Sequence, residues 1–169
     1  MKKRSAKNIA LLGMCTAIAM VFAYVEVLLP PLFTAVPGIK LGLPNIAIIF
    51  VLYRFGPGQA AAVSFVRIVA VSLLFGNPMT FAYSLAGGIL SLSAMALLKR
   101  LDILSTVGVS VAGGVLHNTG QILMAMLLLD TSQLGYYLIV LAVTGTISGV
   151  LIGLCGNFAI KRIPDIRKN

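Results

Sequence analysis

Apolar residues run along this chain in six long blocks, and they do not alternate with polar ones as they would on a half-buried strand. The blocks cover residues 8–29, 43–55, 59–75, 79–98, 105–129 and 134–160. The breaks between them are helix stops: Pro30-Pro31, Gly56-Pro57-Gly58, Gly76-Asn77-Pro78, the pair Lys99-Arg100, and Asp130-Thr131-Ser132-Gln133. Residues 30–41 carry Pro30, Pro31, Pro37 and Gly38, which predicts a fixed, non-helical course. As a helix, 105–129 is about 37 Å long at ~1.5 Å per residue, and it can cross a hydrocarbon core of ~30 Å. The block at 43–55 is short. Pro44 suits its first turn, where the missing N–H is harmless, and this helix is either tilted or starts inside the membrane. The pattern predicts an all-α integral membrane protein with six transmembrane helices, and residues 1–169 form a single transmembrane domain.

Composition sharpens this. The chain is 59% hydrophobic and only 10% charged, with mean hydropathy +1.04, which excludes a soluble domain of this length. The net charge of +9 is clustered. Lys2, Lys3, Arg4 and Lys7 open the chain, and Lys161, Arg162, Arg167 and Lys168 close it. Arg54, Lys99 and Arg100 sit at inner turns, so both termini are expected in the cytoplasm, with Lys40 and Asp130 outside. The basic balance does not indicate nucleic acid, because no basic face has interleaved aromatics. The basic start and Ala17-Ile18-Ala19 imitate a signal peptide, but the apolar block continues through Leu29, so an uncleaved first helix is expected. Cys15 and Cys155 stand singly in apolar blocks and are expected as buried small hydrophobes. They make neither a metal spacing nor a disulfide framework.

Polar groups inside the apolar blocks are the candidate chemistry. His117, Asn118, Thr119 and Gln121 lie mid-block among Val, Leu, Ile, Met, Ala and Gly. At that depth they must face protein or a water-filled cavity. His117 and Gln121 share a helix face. Glu26 is a carboxylate inside an apolar block, and Arg67 is a guanidinium at the centre of another. The partner of Arg67 is Glu26, a bound anion or helix C-terminal carbonyls. We expect Glu26, Lys40, Asn45, Arg67, Asn77, His117, Asn118 and Gln121 to form an outward-opening site for a small anionic or polar solute. In the competing reading His117, Asn118 and Gln121 only staple helices together. Gly113, Gly114 and Gly120, and Gly145, Gly149 and Gly153 at four-residue spacing, predict close helix packing. Ala6, Ala10, Gly13 and Ala17 form a small-residue stripe, which serves either internal packing or docking of a partner subunit. Catalysis is not indicated. There is no nucleophile–base pair with an orienting acid and no Walker-type loop. The acids Glu26, Asp102, Asp130 and Asp165 are isolated, so neither metal nor cofactor is expected.

Several segments together resemble one family: Pro37-Gly-Ile-Lys-Leu-Gly-Leu-Pro-Asn45, Arg67 followed by Leu74-Phe-Gly76, Tyr83-Ser-Leu-Ala-Gly-Gly88 and His117-Asn-Thr-Gly-Gln121. They resemble the bacterial Gx transporter family, also labelled heptaprenyl diphosphate synthase component I, and the likeness covers most of the chain. Pro44 stands where that family most often has Ala, a departure that alters only the helix start. The family is similar in architecture to the S components of energy-coupling factor transporters. The resemblance implies a six-helix, multi-pass protein of the bacterial plasma membrane. Such a protein captures a small solute near the outer face and docks a coupling membrane subunit driven by two ATPases. The residues Ala6, Ala10, Gly13 and Ala17 match the docking pattern in kind. The second label implies instead a non-catalytic membrane partner of a prenyl diphosphate synthase in isoprenoid biosynthesis. A self-contained carrier is a third reading, although no internal repeat supports it.

Overall fold

A computed structural model of the chain describes residues 2–28 and 42–163, with side chains from Ala6 onward in the first segment. Among the described residues there is no strand. Six α-helices follow one another: α1 (Lys2–Leu28), α2 (Asn45–Arg54), α3 (Pro57–Phe75), α4 (Pro78–Leu101), α5 (Thr106–Leu129) and α6 (Leu138–Arg162). A short 3-10 turn over Ser132–Tyr137 precedes α6, which therefore starts later than the apolar block suggests. The ends follow local chemistry. Pro57 and Pro78 occupy first-turn positions of α3 and α4. Asn77 caps α4, and the Ser105 side chain caps α5 by accepting from Gly108 N. Two helices stop on aspartates in the left-handed region, Asp102 at φ 53 and Asp130 at φ 48, one of the few non-glycine types that visit it.

Among the described residues, five helices are long and apolar enough to cross a membrane. The sixth, α2, has 10 residues, about 15 Å at ~1.5 Å per residue, which is half a crossing. Six helices are present as expected, and the second is short, as its apolar block indicates. The chain enters α2 through Gly42, at φ 77, and Pro44, so irregular backbone lies within the bundle. It is tolerated because the Glu26 carboxylate takes up its amides: Oε1 accepts from Gly42 N and from Leu43 N. In return α2 is the most buried element. Ile48, Ile49, Val51 and Leu52 are 0–2% exposed, packed between α1, α3 and α6.

The α4–α5–α6 layer is held backbone to backbone. A Cβ on Gly149 would lie 2.6 Å from Val111 Cα, and one on Gly120 would lie 2.9 Å from Ala86 O. At these seams only glycine lets the axes approach so closely. Asn118 crosses the α5–α6 seam, donating Nδ2 to Leu141 O at 2.9 Å. On α1, Cys15, Ala19 and Ala23 face inward and are buried. Ala6, Ala10, Gly13 and Ala17 face outward, and a Cβ on Gly13 would meet nothing within 4 Å. The stripe therefore takes no part in packing within the described chain. Cys155 is exposed on the outer face of α6, against the expectation of burial.

Arg54 and Lys99 cap helices at the end where α2, α4 and α6 finish. Arg54 Nη2 donates to Ile160 O and Ile163 O at the close of α6. Lys99 Nζ donates to Leu52 O at 2.6 Å and lies 5.0 Å from the Tyr53 ring centroid. Cations on these final carbonyls also complement the helix dipoles.

Candidate functional site

At the end remote from those cations, α1, α2, α3, α4 and α5 enclose a polar cleft. Each element contributes for a local reason. The last turn of α1 carries Glu26, and α2 starts in mid-bundle, which puts Asn45 deep. The α3 face formed by Arg67, Ile68, Val71, Ser72 and Phe75 follows helical spacing. Thr80 and Ser84, one turn apart, come from α4, and His117 and Gln121, also one turn apart, from α5. Glycine sets the depth of the last pair. A Cβ on Gly87 would sit 3.0 Å from His117 Nδ1 and 2.9 Å from Gln121 Cγ, so glycine there lets both side chains pass beneath α4.

The cleft is small, with a free volume of about 50 Å³. That is roughly three to five times the 10–15 Å³ needed to seat one water. Its charged groups are unequally engaged. Glu26 accepts from two backbone amides and also acts electrostatically on Arg67. The Nε of Arg67 is buried and has no hydrogen-bond partner among the described residues. A desolvated guanidinium with an unmatched donor costs on the order of 1–3 kcal/mol or more. An acceptor supplied from outside the chain would offset that cost.

The structure thus brings Glu26, Asn45, Arg67, His117 and Gln121 into one cleft. It separates two others. Asn77 does not line the cleft, because its Oδ1 accepts from Thr80 N at 2.9 Å and its own N–H donates to Thr80 Oγ1 at 2.8 Å, closing a capping box. Asn118 points the other way and ties α5 to α6. Asn118 thus joins α5 to α6, while His117 and Gln121 line the cleft. Lys40 lies outside the described residues. Sequence reasoning passed over Ser72, Thr80 and the backbone at Gly42. Ser84 also lines the cleft, one turn from Thr80, and Ser72 is one turn from Ile68, spacings that show a shared face and not which way it turns. Among the described residues no cluster of His, Cys, Asp or Glu is arranged to hold a metal ion.

No curated protein and no solved structure matches the chain. One family model does, heptaprenyl diphosphate synthase component I, over residues 15–159. That match takes in α2 to α5 whole and parts of α1 and α6, with every described residue of the cleft, and it agrees with the family that the sequence segments resemble. The chain belongs to the heptaprenyl diphosphate synthase component I family.

Proposed function

We propose that this protein is a membrane-embedded capture subunit, which binds a small anionic or polar solute in the α1–α5 cleft and presents it to an energising module docked on α1. The observation that carries this reading is a polar cleft inside an apolar bundle, at the end opposite the basic clusters. By the positive-inside rule that end faces away from the cytoplasm and both termini lie inside, in a bacterial plasma membrane. The chain is not itself an enzyme. Its outward stripe of Ala6, Ala10, Gly13 and Ala17 supports a docking role, because internal packing leaves it uncovered. Lys40 is proposed to complete the site from the segment preceding Gly42.

The family description supports a second reading, a non-catalytic membrane component that works beside a separate heptaprenyl diphosphate synthase subunit. Affinity purification of the tagged full chain from its native membrane in mild detergent, compared with its Gly13→Leu variant, separates the two. Recovery of a membrane coupling subunit with paired ATPases, lost in the variant, supports capture and docking. Recovery of a prenyl diphosphate synthase subunit without ATPases supports the accessory role and overturns the first reading.

A further inference from the structure

We propose that one buried water, held by Asn45, Ser91 and Ser110, joins the entry of α2 to α4 and α5 behind the cleft. Such a water is needed whatever the cleft binds. A hydroxyl inside an apolar helix has one easy partner, the carbonyl a turn behind it on its own helix. Thr16, Thr119 and Thr146 take that partner, donating to Leu12 O at 2.8 Å, Val115 O at 2.9 Å and Ala142 O at 2.8 Å. Ser91 on α4 and Ser110 on α5 do not. Each is 4% exposed, and neither side chain makes a hydrogen bond among the described residues. Both line a second cavity, whose walls also include Asn45, Ile49, Met95 and Ile152.

That cavity has room for one water. Its free volume is about 10 Å³, at the lower end of the ~10–15 Å³ that a single water needs. Glycine keeps it open, since a Cβ on Gly113 would lie 3.3 Å from Ser91 Oγ and 2.5 Å from Met95 Sδ. A buried water needs roughly two to four polar partners, and the two hydroxyls with the Asn45 carboxamide supply them. Hydroxyl and carboxamide groups both donate and accept, so they can match the protons and the lone pairs of a water together. A dry cavity would leave two buried hydroxyls unmatched. No acid lines the cavity among the described residues, so a neutral occupant suits it better than a cation. Asn45 lines the outer cleft as well. The water therefore ties a side chain of the cleft wall to the α4–α5 layer, although α2 packs mainly against α1, α3 and α6.

The test is X-ray radiolytic footprinting of the purified full chain in mild detergent, read by mass spectrometry. Irradiation turns water into hydroxyl radicals where it stands, so a buried side chain is oxidised quickly when an ordered water lies beside it. Met95 is the reporter, because it is 3% exposed, lines the cavity and carries an oxidisable thioether. Cys15 is the reference, an oxidisable sulfur that is 6% exposed in the same apolar core and lines neither the cleft nor this cavity. The expected result is rapid oxidation of Met95 with Cys15 protected. In the Ser91→Ala/Ser110→Ala variant the water loses both hydroxyl partners, and Met95 oxidation should fall to the level of Cys15. Oxidation of Met95 no faster than that of Cys15 in the parent protein means a dry cavity and overturns the inference. Met95 oxidation that the double variant leaves unchanged also overturns it, because the two hydroxyls then hold nothing. A double variant that fails to fold would expose Cys15 too, and the parent comparison then decides by itself.

Discussion

The α5–α6 seam offers a sharp test of the packing argument, because one chemical change at two glycines should act with opposite signs. In Gly149→Ala the new methyl would lie 2.6 Å from Val111 Cα and 3.0 Å from Ser110 O. Both are backbone atoms that cannot swing away. Carbon contacts settle near 3.5–4.0 Å, so α6 must retreat by roughly 1 Å, and a gap of that size forfeits a quarter to a half of each contact's attraction. Overpacking of this kind costs about 1–3 kcal/mol. If α6 moves as a body, the Asn118–Leu141 hydrogen bond, now 2.9 Å, stretches beyond bonding range, at a further cost of about 1 kcal/mol. Alanine returns roughly 0.5–1 kcal/mol of helix preference. The net loss is about 1–3 kcal/mol, or several degrees of melting temperature for a chain of this size. Gly13→Ala is the matched control. Its methyl meets nothing within 4 Å, so only the helix gain remains, and the melting temperature should hold or rise. The assay is thermal unfolding of the purified full chain in mild detergent. A Gly149→Ala protein as stable as the parent would refute the seam as an atomic-contact interface.

Further outcomes follow from the hydrogen bonds. Glu26→Gln keeps an acceptor for Gly42 N and Leu43 N but loses the charge, whereas Glu26→Ala orphans both amides; stability should fall modestly in the first and by about 2–5 kcal/mol in the second. Equal stability of the two variants would show that the amides find other partners. Lys99→Met removes the donor to Leu52 O and the cation over Tyr53, with an expected loss of about 1–3 kcal/mol in the same unfolding assay. Asn118→Ala should cost about 1 kcal/mol in the same unfolding assay, since it removes the donor to Leu141 O. A variant as stable as the parent would show that this bond adds nothing to the seam.

The helical architecture was legible from hydropathy because every long block had to become a helix to satisfy its own backbone in an apolar setting. Glycine periodicity was legible too. Gly145, Gly149 and Gly153 do lie against the backbone of α5. Direction around a helix was harder to read. Ala6, Ala10, Gly13 and Ala17 run beside Ala19 and Ala23, and nothing in their spacing says that the second set turns inward while the first turns out. Short side chains carry little amphipathic contrast, so the choice falls to neighbours far away in sequence. Asn77 and Asn118 were hard to place from sequence for a related reason. A carboxamide serves a cap, a seam or a cleft equally well, and its partner decides which. For Asn77 the signal was local, since Pro78 and Thr80 behind it mark a capped helix start.

Glu26 and Arg67 show where pairing by charge falls short. Opposite charges in two apolar blocks invite a simple ion pair, and their electrostatic coupling is real. Yet α2 is too short to span, so its entry leaves amides inside the bundle, and a carboxylate can accept from two of them at once. Backbone valence competes with the guanidinium for the same oxygens, and Gly42 and Leu43 obtain Oε1. Hydropathy could not reveal this competition, because it arises from the register at which α2 begins. Its consequence is local: the carboxylate that acts electrostatically on Arg67 also anchors the α2 entry. The same two residues hold the fold together at Glu26 and leave Arg67 Nε without a hydrogen-bond partner among the described residues.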